Sequence, residues 1–348
     1  MADIVIRKEG RAGRITLNRP KALNALTYEM CLQIDAALRL WARDEAVTLV
    51  VIDGEGERAF CAGGDIQKMY DAGRRGDFDY GRRFWRDEYR MNARLKEFPK
   101  PVVSFLHGFV MGGGVGVGCH CSHRIVGESA QIAMPECGIG LVPDVGGSFL
   151  LSRAPGRLGE YLGTTGARMG PGDAILAGFA DGFVPEADWP ALKDELVAGG
   201  DAAAVARAAR PAPVAALAAM QPQIDRHFGG EGLGDIVRSL AAEDGAFARE
   251  TLSQLQKVSP LSASCTVEMI HRVRALPGLR DALEMEYRFT YRAMEHGDFI
   301  EGIRAAIIDK DRKPHWRHAG AENVPAVEVA RMLMPLGAQR LQLEGELA

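Results

Sequence analysis

A chain of 348 residues with 47% hydrophobic and 25% charged residues has the composition of a globular protein and room for one large domain or two ordinary ones. Its 42 basic and 46 acidic residues leave a net charge of −4, which gives no footing for nucleic acid or an anionic membrane. Six irregularly spaced cysteines suit free thiols in a reducing compartment. The opening MADIVIRKEG has no apolar leader segment, and no apolar run reaches about 18 residues, so a cytoplasmic protein is expected.

In chain order, residues 3–18 predict two strands around a turn at Lys8–Gly13. Asn18–Arg19–Pro20 breaks the run, and Asn24 or Thr27 caps a helix with apolar residues at Met30, Ile34, Leu38 and Trp41. Leu49–Ile52 is a buried strand ended by Asp53–Gly54. Arg58 to Ile66 reads as a strand end, a small-residue turn and a helix start, with Asp65 as the N-cap. Ala62, ahead of Gly63 and Gly64, offers an N–H that no bulky side chain obstructs.

A helix over residues 78–97 carries Phe84, Glu88, Met91 and Leu95 on one stripe. A carboxylate there is paired, neutralised or set at a pocket rim; the ordinary partners are Arg86 and Arg90. Pro101–His107 predicts a buried strand, and Gly112–Gly113–Gly114 opens a helix of small residues. Bare N–H groups at a helix start let a ligand oxygen approach closely and add a partial positive charge. The alternative is close helix–strand packing. Cys119, Cys121 and His123 share a face only in extended chain, no second ligand pair stands at zinc spacing, and no metal is expected.

Glu136 follows Met134–Pro135 and Asp144 follows Val142–Pro143, two carboxylates on proline-fixed turns. Asp144 also suits the N-cap of a helix running through Leu151. Residues 156–184 predict short helices with glycine breaks. Amphipathic patterns then recur near 233–242, 245–256, 262–275 and 279–294. The fold class is α/β, with residues 1–185 as the core and 186–348 as a helical C-terminal region.

NRPKALNAL (18–26), RAFCAGGDI (58–66), HGFVMGGGVGVG (107–118), MPECGIGLVPDVGG (134–147) and DFIEGIRAAIIDKDRKPHW (298–316) resemble, in order, the crotonase (enoyl-CoA hydratase/isomerase) superfamily, and most its 3-hydroxyisobutyryl-CoA hydrolase branch. The resemblance implies a spiral of ββα units with a helical C-terminal part over the site. It also implies an acyl-CoA substrate whose thioester oxygen is held by the N–H groups of Ala62 and Gly113. By the same resemblance Glu136 and Asp144 are catalytic, and Glu88, Gly63, Gly64, Asp65, Gly112 and Lys310 bind substrate. No cofactor is expected beyond the coenzyme A of the substrate, and a homo-oligomer is left open. The hydratases of this superfamily carry a glutamate three residues after the oxyanion glycine; here that position is Gly116. Asp144 stands where they usually have glycine. Hydrolysis of a thioester, in valine degradation, is therefore the expected activity. Hydratase or isomerase chemistry and a non-catalytic acyl-CoA-binding role are the alternatives.

Overall fold

The computed structural model describes residues 2–343. β1 (Ile4–Glu9) and β2 (Ala12–Leu17) form an antiparallel hairpin at the edge of a six-stranded sheet. From there the chain alternates between two sheets. β3 (Leu49–Gly54), β5 (Val102–Leu106) and β7 (His123–Val126) extend the large sheet in parallel, and β9 (Gly182–Phe183) ends it, giving the order β1-β2-β3-β5-β7-β9. β4 (Ala59–Cys61), β6 (Phe109–Met111) and β8 (Gln131–Ala133) form a separate parallel sheet of three. Each turn of the spiral thus gives one strand to each sheet and then a helix, as parallel pairing requires.

β3 explains why its sequence is apolar throughout. Val50 and Ile52 face the main core, while Leu49 and Val51 face a second cluster on the other side of the sheet. That second cluster is closed by the helix Trp189–Gly199, whose Trp189 meets Phe105 edge-on at 5.2 Å between centroids. The helix lies beyond residue 185 yet packs on the sheet, and the main core runs from Ile4 to Leu343 through both expected regions.

Three helices position the site. α1 (Tyr28–Ala42) is capped by Thr27, whose hydroxyl accepts the Met30 N–H. Asn24 instead serves the preceding turn, accepting from Arg19 N–H and donating to the Ala59 and Glu55 carbonyls. α2 (Gln67–Arg74) has no side-chain cap, so Asp65 is not the expected N-cap; its carboxylate pairs with Arg19 at 2.9 Å. α3 (Phe78–Lys96) buries Phe84, Trp85, Glu88, Tyr89 and Asn92. The helix Leu279–His296 packs along α3, and the short helix Phe299–Ile303 follows it. No described helix is long and apolar enough to cross a membrane.

The Cys119–His123 stretch does not gather. His120 bonds the Val145 carbonyl, Cys121 the Val117 carbonyl and His123 the Ser122 hydroxyl. Among the described residues no group of three His, Cys, Asp or Glu side chains is arranged to hold a metal ion.

Candidate active site

The two turns that sequence patterns single out meet in space. α4 (Gly113–Gly118) is only six residues long, so its dipole is small and its first N–H groups matter directly. It is entered through Gly112 at φ +48, ψ −119, a conformation closed to side chains. A Cβ on Gly114 would stand 2.2 Å from the Cys61 carbonyl oxygen, which forces glycine where α4 crosses the end of β4.

Across the gap lies the 62–64 turn. The Ala62 N–H donates to the Leu23 carbonyl at 3.0 Å and is not available to a ligand. This corrects the expected donor pair. The Gly64 nitrogen lies 3.5 Å from the point where a Gly113 Cβ would stand, and neither the Gly64 nor the Gly113 N–H has an acceptor among the described residues. The missing signal was the acceptor, Leu23, which only the folded chain brings to Ala62.

Both turns open into a cavity of about 250 Å³. Gly63, Gly64, Gly112 and Gly113 line one wall, and Met69, Phe84, Trp85, Leu141 and Phe299 make it largely apolar. Three carboxyl groups, Glu88, Glu136 and Asp144, face in, and no basic side chain lines it. Lys310 is exposed and not part of the wall, on a segment where Lys310 and Arg312 take φ +56 and +55.

Glu88 has neither of its ordinary partners, because Arg86 and Arg90 both bind Asp87. It is 4% exposed, and burial, then the charge of Asp144, holds its carboxyl well above the usual range. Glu136 opens a tight turn (Glu136–Ile139) and is 5% exposed, with Oε2 lacking any partner among the described residues. Burial and Asp144 push its carboxyl up too. Asp144 is raised by burial to about 7, against the opposing hydrogen bond from the Tyr89 hydroxyl at 2.7 Å. Buried carboxyls that lack a basic partner and face one another resist carrying charge together, so each raises the pKa of its neighbour.

Asp144 is not a helix cap. α5 (Gly147–Arg153) has Gly146 as its N-cap, without a side-chain cap of its own. The carboxylate serving that helix start is Glu286, which accepts the Gly146 N–H at 2.8 Å and the Ser148 N–H at 3.0 Å. Val145, between them, has φ +52, where a β-branched residue is strained by roughly 1–3 kcal/mol. Sequence reading missed Tyr89, which reaches Asp144, Glu286, which reaches its turn, and Thr290, which contacts Tyr89.

Gly116, one turn along α4 from Gly113, has no space beside it. A Cβ there would stand 2.7 Å from Asn92 Nδ2 and 2.8 Å from Val145 Cβ. A glutamate at this position has no room on this backbone.

A family pattern described as enoyl-CoA hydratase/isomerase matches residues 12–333. The chain belongs to that family. Among curated relatives, the mitochondrial 3-hydroxyisobutyryl-CoA hydrolase of Gallus gallus is 38% identical over 98% of this chain and 91% of its own length. The Homo sapiens protein of the same name is 35% identical, over 98% and 90%. Among solved structures, an enoyl-CoA hydratase from Rhodobacter sphaeroides 2.4.1 is 59% identical with a TM-score of 0.94, over 98% of this chain and all of that one. A carnitinyl-CoA dehydratase from Mycobacterium thermoresistibile is 41% identical, also at 0.94. These two solved structures share the whole spiral and its helical C-terminal part. The mitochondrial setting of the curated relatives overturns the cytoplasmic expectation. That expectation weighed secretion and did not weigh import into an organelle.

Proposed function

We propose that this protein hydrolyses 3-hydroxyisobutyryl-CoA, with water, to 3-hydroxyisobutyrate and coenzyme A, a step of valine degradation. The observation that carries the reading is the carboxyl set: Glu136 and Asp144 face the cavity, while Gly116 is walled off by Asn92 and Val145. Hydration across a double bond calls for two carboxylates around one water, one of them from position 116. That group is absent here and has no room. The curated relatives at 35–39% identity carry the hydrolase name. The apolar cavity of about 250 Å³ suits a short branched acyl group.

In this reading the thioester oxygen sits between the Gly64 and Gly113 N–H groups, which bind it more tightly as charge grows on it. Glu136 either takes a proton from water as that water attacks, or attacks first to form a mixed anhydride that water then opens. In the first route the C–O bond to water forms as the C–S bond breaks, and the proton taken by Glu136 passes to the departing thiolate. In the second the Glu136 oxygen displaces the thiolate, and water then opens the anhydride to the acid and free Glu136, its proton going to the thiolate or to solvent. Asp144 orients the water or the acyl hydroxyl. Glu88, whose carboxyl burial and Asp144 hold above the usual range, faces the same cavity and positions the acyl hydroxyl. The chemistry draws on no metal and no cofactor beyond the coenzyme A of the substrate. Lys310 reaches toward the nucleotide phosphates.

Release of free thiol across short acyl-CoA and 3-hydroxyacyl-CoA substrates tests the activity, with 3-hydroxyisobutyryl-CoA expected to turn over fastest. The two solved relatives named hydratase and dehydratase make the competing assay product analysis with crotonyl-CoA. Hydration there, without thiol release from any substrate, would overturn the hydrolase reading.

A further inference from the structure

The bend after Pro143 is held in a form its residues resist. Val145 at φ +52 is followed by Gly146 at φ +81, and a β-branched residue persists in that region only where its surroundings over-determine it. Three side chains do so. Glu286 accepts the Gly146 N–H on Oε2 and the Ser148 N–H on Oε1, with the Ser148 hydroxyl on the same oxygen. His120 Nε2 donates to the Val145 carbonyl at 2.8 Å. Tyr89 donates to Asp144 Oδ2 at 2.7 Å, backed by Thr290 Oγ1 at 3.4 Å. All four partners are buried, and none of them lines the cavity.

We propose that this clamp is a positioning device for Asp144, in which Glu286 and His120 hold the left-handed bend and Tyr89 fixes the rotation of the carboxylate. The inference rests on Asp144 being a working carboxylate. It makes Tyr89 and Glu286 positioning residues, and gives the helix Leu279–His296 a task beyond covering the site. Backbone and carboxylate are set separately: the bend decides where Asp144 emerges, and the phenol decides which oxygen faces the acyl group. Preorganisation of this kind counts because misplacement of about 1 Å costs on the order of 10²-fold in rate. His120 is suited to a fixed role. Burial lowers its pKa to about 4, so it stays neutral and keeps the donating tautomer.

The groups facing Asp144 are Glu88 and Tyr89 from α3, Glu136 from the turn after β8, and Glu286 from the helix Leu279–His296. Apart from Tyr89 itself these are carboxyl groups, so no cation stands in for the phenol when it is removed. Tyr89→Phe, Glu286→Gln and Asp144→Asn are compared in kcat, KM, the pH profile of kcat and the thermal midpoint. Tyr89→Phe should lower kcat about tenfold with KM within about twofold. The acid limb of its kcat profile should move to higher pH, because the hydrogen bond that holds Asp144 down is lost. Glu286→Gln should lower kcat with KM held, since an amide NH₂ would face a backbone N–H. Should that variant not fold, Tyr89→Phe decides. Wild-type kcat and an unmoved acid limb in Tyr89→Phe, beside an inactive Asp144→Asn, would overturn the clamp. Wild-type kcat in Asp144→Asn would remove the catalytic reading and the clamp with it.

Discussion

Asp144 sits among acids, and that company governs how it and Glu136 respond to substitution. Glu136→Gln keeps the length of the side chain that opens the turn Glu136–Ile139 while removing the proposed base or nucleophile. Thioester hydrolysis should fall by roughly 10²–10⁴-fold with folding and CoA binding nearly intact. Turnover above a tenth of wild type would end that role for Glu136. Asp144→Asn and Asp144→Ser both preserve good capping residues, and the capping role already belongs to Glu286. Both should therefore lower kcat by orders of magnitude while shifting stability by less than about 1 kcal/mol. Single-turnover rates beside denaturant titrations separate the two effects. At this scale the carboxylates were legible in sequence, because prolines before Glu136 and Asp144 and an apolar stripe around Glu88 flag them. The Ala62 N–H was read as open to a ligand, since no local pattern tells that the Leu23 carbonyl takes it.

The elements that meet at the site were legible to different degrees. Strand–turn–helix alternation was plain from β3 onward, because both faces of the parallel sheet are buried and the strands are apolar throughout. Helix starts were harder to read. Asp65 and Asp144 have the right chemistry to cap, but the capping atoms for α5 arrive from Glu286, about 140 residues further on. Alternation also hid the division into two sheets, which depends on each ββα turn sending its second strand elsewhere. The packing of α4 against α3 makes a further expectation. Gly116→Glu forces a side chain against Asn92 and Val145, so it should destabilise the fold by about 1–3 kcal/mol, read as a lower denaturant midpoint. Paired with Asp144→Gly, it should abolish hydrolysis without creating a hydratase, since the shell around position 116 is not built to hold a carboxylate. An undiminished midpoint in Gly116→Glu would show that α3 and α4 separate more readily than their packing implies.

For the whole molecule, buried acids set how stability follows pH. Glu88, Glu136, Asp144 and Glu286 all have folded carboxyls raised above their ordinary range, Asp144 to about 7 and Glu286 to about 8, with burial the leading cause. In that window the folded state binds more protons than the unfolded one. Their contribution is therefore full below about pH 4 and is lost as pH rises through about 7–8. The thermal midpoint should fall from pH 5 to pH 8, and Glu88→Gln should flatten the fall; a midpoint that rises over this range would contradict the clustering. Charge reversal at Lys310 should raise KM for acyl-CoA but not for a pantetheine thioester, and equal effects on both would refute its phosphate contact. The six cysteines bear on how any of this is measured. All are free and buried, and burial raises Cys61, Cys121 and Cys137 to about 12 and holds the others high. Thiols kept protonated and out of reach are poor nucleophiles toward a colorimetric disulfide. The intact enzyme is therefore silent in the chromogenic assay that counts liberated coenzyme A. A chain that opens shows itself in the same cuvette: its labelling rate is a clock for unfolding, running beside the catalytic trace without a second probe.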